Sequence, residues 1–301
     1  MTAAPTLDRV RIAAHAKVNL FLRILAREHS GFHQIETAFL LLELADQIEV
    51  RRLDRGVTLD VDGPELGPVE ENLAFRAAKA VLEATGAKFG VGIQLNKKIP
   101  ARAGLGGGSS DAAATLHAVN ALAGNGVPRH ELHHLAAKLG SDVAFFAAGL
   151  PAALGWGRGE RLLALAPPPA APALVALPRD VTVATVEAYR WWDQSGLHDG
   201  SRGPVVLEPD SLSTWGSVGR LGANDFELPV FGKHPEIRAV FERLAGTNPY
   251  WVRMSGSGSA VAAVYRNERD RDDAISRLGT KDQTTVATAT RAHPPAGPTP
   301  A

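Results

Sequence analysis

The amino-acid sequence predicts an α+β fold from three features. Apolar residues alternate with period two from Val10 to Ile24, they alternate again at Val91, Ile93 and Leu95, and a glycine cluster then opens an alanine-rich stretch of helical composition. In the first run Val10, Ile12, Ala14, Ala16, Val18, Leu20, Leu22 and Ile24 share one strand face, and Arg11, His15, Lys17, Asn19 and Arg23 share the other. The second run passes Asn96, Lys97 and Lys98 to Pro100, whose missing N–H ends a strand ladder. AGLGGGSSDAAATLHAVNAL follows, giving a strand, a glycine loop and a helix in sequence. Pro128 suits the first turn of a helix running to Leu139, Gly140 suits its end, and Ser141 and Asp142 open a further short helix. APPPAAPAL, residues 166–174, is a shift in composition and places a boundary between domains at 1–165 and 166–285. Helices at Thr185–Trp192 and Pro235–Ala245 flank a Gly/Ser/Pro-rich loop at 195–203 and precede WVRMSGSGSAVAAVY. Residues 286–301 have few apolar side chains to bury and are expected to form a disordered tail.

Composition narrows the function classes. A chain of 301 residues with 45% hydrophobic and 21% charged residues can build a real core and is not wholly disordered. Basic and acidic residues number 32 each, and no long basic stripe occurs, which argues against nucleic acid as a partner. An anionic ligand must therefore be held locally. Cysteine is absent, which excludes disulfides, thiolate metal sites and cysteine nucleophiles. Without a signal-like N-terminus or an 18-residue apolar run, the expectation is a soluble cytoplasmic protein, monomer or weak homodimer, with a small-molecule substrate and no membrane partner.

The chemistry concentrates at the glycine loop. Gly104, Gly106, Gly107 and Gly108 let main chain approach a ligand, and Ser109 and Ser110 open a helix whose free N–H groups face that loop. This is an anion site, most naturally for phosphate, although a tight strand-to-helix turn with a serine cap would carry the same residues. It matches neither GxxxxGK[ST] nor GxGxxG. A branched Cβ at Gly106 is expected to block the phosphate and leave folding largely intact.

PARAGLGGGSSDAAATL (Pro100 to Leu116) resembles the central phosphate-binding motif of the galactokinase, homoserine, mevalonate and phosphomevalonate kinase (GHMP kinase) superfamily. AKVNLFLRI and MSGSGSAVAAVY resemble its first and third motifs. AKVNL, GFHQIET, ENLAFRAA, GLGGGSSDAA, LGSDVAFF and NDFE, in this order from about Ile12 to Tyr265, resemble the branch acting on 4-diphosphocytidyl-2-C-methyl-D-erythritol. The resemblance implies two lobes, an N-terminal one with the phosphate loop and a C-terminal antiparallel sheet with helices, and an active site between them. It implies ATP-dependent phosphorylation of that substrate's 2-hydroxyl, a step of non-mevalonate isoprenoid precursor biosynthesis, with ATP and Mg²⁺ as cofactors. Another kinase of the superfamily, or a nucleotide sensor without catalysis, would share the loop but not the whole set of motifs.

By the same resemblance, Lys17 and Asp142 are a catalytic pair, with Asp142 taking the hydroxyl proton. From residues alone, Lys17 could lie on a solvated strand face and Asp142 could cap a helix. Asn72, Lys97, Pro100, Gly104, Leu105, Gly106, Gly107, Gly108, Ser109 and Ser110 are implied to bind ATP, with Ser110 also lending an oxygen to the metal. Lys97 and Lys98 could otherwise be ordinary strand-end charges. Asn19, Phe32, His33, Thr185 and Tyr189 are implied to bind substrate, Phe32 and Tyr189 sandwiching the cytosine while His33 bonds its edge. Phe32 stands where the family usually has tyrosine. The run Ser255 to Ser259 is expected beside the glycine loop, although a hairpin turn reads the same.

Overall fold

The alternation near the N-terminus produces β1 (Arg9–Arg27), which pairs antiparallel with β2 (His33–Leu53) in a computed structural model that describes residues 7–65, 67–196, 208–279 and 281–301. β3 (Val57–Asp62) precedes α1 (Leu73–Thr85), which starts where the Asn72 side chain accepts from the Ala74 N–H. β4 (Gly90–Asn96) lies parallel to β3 and antiparallel to β2. The glycine loop then feeds α2 (Gly107–Leu122), followed by α3 (Arg129–Leu139), α4 (Ser141–Ala147) and the hairpin of β5 (Ala152–Gly157) and β6 (Arg161–Ala164). One edge of β2 serves two partners, with residues 35–40 on β5 and residues 47–53 on β4.

The second lobe begins with β7 (Pro172–Pro178) and α5 (Thr185–Gln194), and the Gly/Ser/Pro-rich loop read at 195–203 falls outside the described residues from 197 onward. Next come α6 (Trp215–Leu221), α7 (Glu227–Lys233), α8 (Pro235–Ala245), β8 (Trp251–Met254), β9 (Val261–Val264), α9 (Glu268–Leu278) and β10 (Gln283–Ala289). The four strands form an antiparallel sheet in the order β10-β7-β9-β8. Three apolar clusters hold the molecule together: one between the first sheet and α1–α4, one between the two sheets, and one under the helices of the second lobe. The middle cluster, with Val18, Leu20, Phe21 and Leu40 against Val175 and Ala262, joins the lobes into one body. No helix among the described residues is long and apolar enough to cross a membrane.

Two expectations change. The apolar face of β1 is not one stripe, because the register against β2 shifts between His15 and Lys17, again between Asn19 and Phe21, and again between Ile24 and Ala26. Val10, Ile12 and Ala14 therefore join the first cluster, Ala16, Val18 and Leu20 the second, and Leu22 and Ile24 the third. The supposedly polar face is closed over as well, with Lys17 and Asn19 buried. Nor is 286–301 a disordered tail: β10 runs to Ala289, and β11 (Thr299–Pro300) pairs with the edge of β1 through Val10 and Arg11. Hydrogen bonds do there what apolar burial cannot. The Leu44 N–H donates to Thr288 Oγ1 and the Ala171 N–H to Thr290 Oγ1, while Arg291 pairs with Glu43.

Candidate active site

The glycine loop is fixed from both lobes. The Lys17 N–H donates to the Leu105 carbonyl at 3.0 Å, the Ala260 N–H to the Ala103 carbonyl at 3.1 Å, and Ser255 Oγ to the Gly104 carbonyl at 2.9 Å. The Ser255–Ser259 run thus lies against the glycine loop, and Asn224 holds it there by donating to the carbonyls of Met254 and Gly256. Gly104 (φ +77°) and Gly106 (φ +73°) sit in the left-handed region. A Cβ on Gly104 would lie 2.1 Å from the Ser255 carbonyl oxygen, and one on Gly106 would lie 2.8 Å from the Phe146 ring and 3.1 Å from Lys17 Cγ. Substitution at Gly106 therefore disturbs the fold itself, against the expectation from sequence. At Gly108 a Cβ would meet nothing within 4 Å, so that position of α2 faces open space.

Two cavities meet at this loop. A cleft of about 1040 Å³ is lined by Lys17, Asn19, Phe32, His33, Asp142, Thr185 and Tyr189. A smaller cavity of about 330 Å³ is lined by Asn72, Lys97, Pro100 and the run Gly104 to Ser109. Gly104, Gly106 and Ser109 belong to both. Ser110 lies elsewhere: it is buried and lines a third cavity with Ile12, His15 and His117. Its place in α2 turns it toward that third cavity, and it does not line the small cavity beside the loop. Among the described residues no group of three or more His, Asp or Glu side chains forms a metal cage; magnesium on a nucleotide needs only one or two protein oxygens beside phosphate and water.

At the floor of the cleft Lys17 Nζ lies 3.5 Å from Asp142 Oδ2 and donates to Asn19 Oδ1 at 2.7 Å. Asn19 Nδ2 donates in turn to Thr37 Oγ1, which donates to the Phe21 carbonyl. This chain fixes the ammonium, and it makes Asn19 a support for Lys17 as well as part of the cleft wall. Asp142 stands in the first turn of α4, whose capping residue is Gly140, so its side chain is not used as the cap. Its carboxylate is about one-third exposed to the cleft, whereas Lys17 is buried.

Lys97 does not stand free for a nucleotide. Its Nζ bonds to Asp46 and, at 2.7 Å, to Asp111. Asp46 Oδ1 also accepts from the N–H groups of Lys98 and Ile99, fastening the chain that enters the loop. Burial lifts the Asp111 carboxyl to about 7, the Asp46 charge adding to the rise and Lys97 opposing it. Burial alone would lower the Lys97 ammonium, but the two carboxylates outweigh it and raise it.

In the aromatic part of the cleft, side chains of the protein already lie on the Tyr189 and Phe32 rings. His33 lies flat on Tyr189, with ring centroids 4.4 Å apart and planes 11° apart, and its Nε2–H donates to Asp193 Oδ1 at 2.7 Å. Phe32 stays 56% exposed beneath the Arg158 guanidinium. The reason is physical: a planar imidazole stacks on a phenol as a base would, and Asp193 holds it in place. Burial, aided by the Asp142 charge, pushes the Tyr189 hydroxyl up to about 12, so it stays neutral. At the mouth of α5, Thr185 Oγ1 and Ser257 Oγ are 3.1 Å apart. Sequence reading missed Thr37, Asp46, Asp111, Arg158 and Asp193, of which Thr37, inside GFHQIET, and Asp111, inside the glycine motif, carried a local signal.

A phosphate loop shared by two cavities in a two-lobed α+β molecule defines a small-molecule kinase of the GHMP class. The family models for the GHMP kinases N terminal domain and the GHMP kinases C terminal region match residues 72–150 and 210–282. The solved Methanococcus jannaschii mevalonate kinase has this fold at TM-score 0.69 and 14% identity, over 96% of this chain and all of that one. A 4-diphosphocytidyl-2-C-methyl-D-erythritol kinase of Solibacter usitatus is 39% identical over 281 residues, 91% of this chain and 87% of that protein. A solved 4-(cytidine 5'-diphospho)-2C-methyl-D-erythritol kinase aligns at TM-score 0.79 and 36% identity, over 93% of this chain and 98% of that one. The chain belongs to the 4-diphosphocytidyl-2-C-methyl-D-erythritol kinase family.

Proposed function

We propose that this chain transfers the γ-phosphoryl group of ATP to the 2-hydroxyl of 4-diphosphocytidyl-2-C-methyl-D-erythritol, yielding the 2-phosphate and ADP. The observation that carries this reading is the shared glycine loop, with a small cavity on one side and a large cleft holding Lys17 and Asp142 on the other. ATP fills the small cavity with its phosphates against the N-terminus of α2, where free N–H groups and the helix dipole favour anions. Magnesium enters only as the counterion that ATP brings on its phosphates.

The acceptor hydroxyl lies between the loop and Asp142, which takes its proton as the oxygen attacks phosphorus in line. Lys17, steered by Asn19, offsets the charge that develops there. The cytidine end reaches the aromatic part of the cleft, where Tyr189, His33 and Phe32 supply ring faces. The test is an ATP-consumption screen with the cytidine substrate, mevalonate, homoserine and galactose side by side. Turnover of the cytidine compound well above the others supports the assignment, and preference for any of the other three overturns it.

A further inference from the structure

Arg158 projects from the turn between β5 and β6, far from every motif of the phosphate loop, yet it lines the large cleft. Its guanidinium carbon sits 3.8 Å from the centre of the Phe32 ring. Its Nη2 donates to Glu28 Oε2 at 2.6 Å and to Ser30 Oγ at 3.2 Å, and Ser30 Oγ in turn donates to Glu28 Oε2 at 2.7 Å. Its own N–H donates to Glu160 Oε2 at 2.7 Å, which fixes the turn it comes from. Two separate segments, 28–32 and 157–160, are stapled by one guanidinium. Phe32 is 56% exposed, and this cation is the ring-face partner it has among the described residues.

We infer that Arg158 is a positioning residue for substrate specificity, holding Phe32 as a fixed stacking wall for the pyrimidine of the cytidine diphosphate end. The inference rests on the proposed function and adds a residue to its binding site. A guanidinium is planar, and with its carbon 3.8 Å from the ring centre it occupies one face of Phe32 and leaves the opposite face for a base. An exposed phenylalanine without a hydroxyl has no hydrogen bond to fix its orientation, and Arg158 with Glu28 and Ser30 supplies that restraint from outside. Lysine, as a compact point charge, would keep the charge of Arg158 but not the planar cover.

The test is titration of cytidine 5'-diphosphate and ATP into wild type, Arg158→Ala, Arg158→Lys, Phe32→Ala and the Arg158→Ala/Phe32→Ala double variant, with KM and kcat measured in parallel. The expected result is a 2- to 10-fold loss of cytidine diphosphate affinity in Arg158→Ala, with KM for the cytidine substrate raised by more than kcat is lowered. Arg158→Lys should recover less than half of that loss. The Arg158 effect should vanish once Phe32 is alanine, since the wall it supports is gone. Equal losses in both Phe32 backgrounds, or full rescue by lysine, would overturn the inference by making Arg158 a direct charge contact. An unchanged affinity in Arg158→Ala would overturn it as well. A folded wild type that binds no cytidine 5'-diphosphate would overturn the substrate assignment beneath it, an outcome distinct from a failure of Arg158 alone.

Discussion

Gly108 separates ligand binding from folding more cleanly than any other position in the phosphate loop. It stands in the first turn of α2, its φ lies outside the left-handed region, and an added Cβ meets no atom within 4 Å. Alanine there restrains the unfolded chain and suits a helix, gaining up to about 1 kcal/mol, or roughly 1 to 3 °C in Tm. The same methyl projects toward the space where phosphate oxygens must reach the free N–H groups of the helix. Losing one such charge-assisted hydrogen bond, worth about 1.5 to 3 kcal/mol, weakens ATP binding by roughly 10- to 100-fold. Gly106→Ala behaves differently, because φ +73° and a Cβ 2.8 Å from Phe146 cost folding stability, about 1 to 3 kcal/mol, and push on Lys17. Thermal unfolding and calorimetric ATP titration of the two variants provide the assay. A lowered Tm in Gly108→Ala, or unchanged ATP affinity in that variant, refutes the placement of the phosphates.

Other outcomes follow from the same geometry. Deleting residues 293–301 removes β11 from the edge of β1 and uncovers the cavity at His15 and His117, and should lower Tm by roughly 2 to 5 °C, about 1 to 2 kcal/mol, in a thermal melt; an unchanged melt would return this segment to a free tail. Burial raises the Glu227 carboxyl from 4.5 to about 7, outweighing the Met254 N–H that donates to it. The folded state then holds a proton that the unfolded state loses first, so stability falls as pH rises from about 4.5 to 7, by at most about 3 kcal/mol. Glu227→Gln should flatten denaturant midpoints across that window, and a slope equal to wild type would refute the shift. Tyr189→Ala should raise KM for the cytidine substrate about 5- to 150-fold while KM for ATP hardly changes, and equal effects on both would remove Tyr189 from the base site.

The strands, the glycine loop and the order of the motifs were legible because each is a local pattern. Period-two alternation marked β1 and β4, and close-packed glycines marked the phosphate loop. What alternation does not carry is the bulge: the register shift at His15/Lys17 decides which cluster each apolar residue enters. Charged partners went unread for a related reason. Asp46 looks like a surface residue in its strand until Lys97, 51 positions away, folds onto it. Arg158 likewise gains meaning only from Glu28 and Phe32 across a gap of about 130 positions. The C-terminal segment was judged by apolar content alone, and its backbone and threonine hydroxyls hold it instead. Ser110 sits in the glycine motif, but the turn of α2 directs it to the cavity at His15 and His117 and not to the small cavity beside the loop.

The phosphoryl transfer itself is observable by phosphorus NMR of the cytidine substrate mixed with ATP and either wild type or Asp142→Asn. Wild type should give a new phosphomonoester signal and stoichiometric ADP. With Asp142→Asn, which keeps the shape beside Lys17 but loses the basic oxygen, turnover should be lower by roughly 10² to 10⁴-fold while ATP still binds. An unmodified cytidine compound with the wild-type chain, or near-normal turnover in Asp142→Asn, would contradict this mechanism.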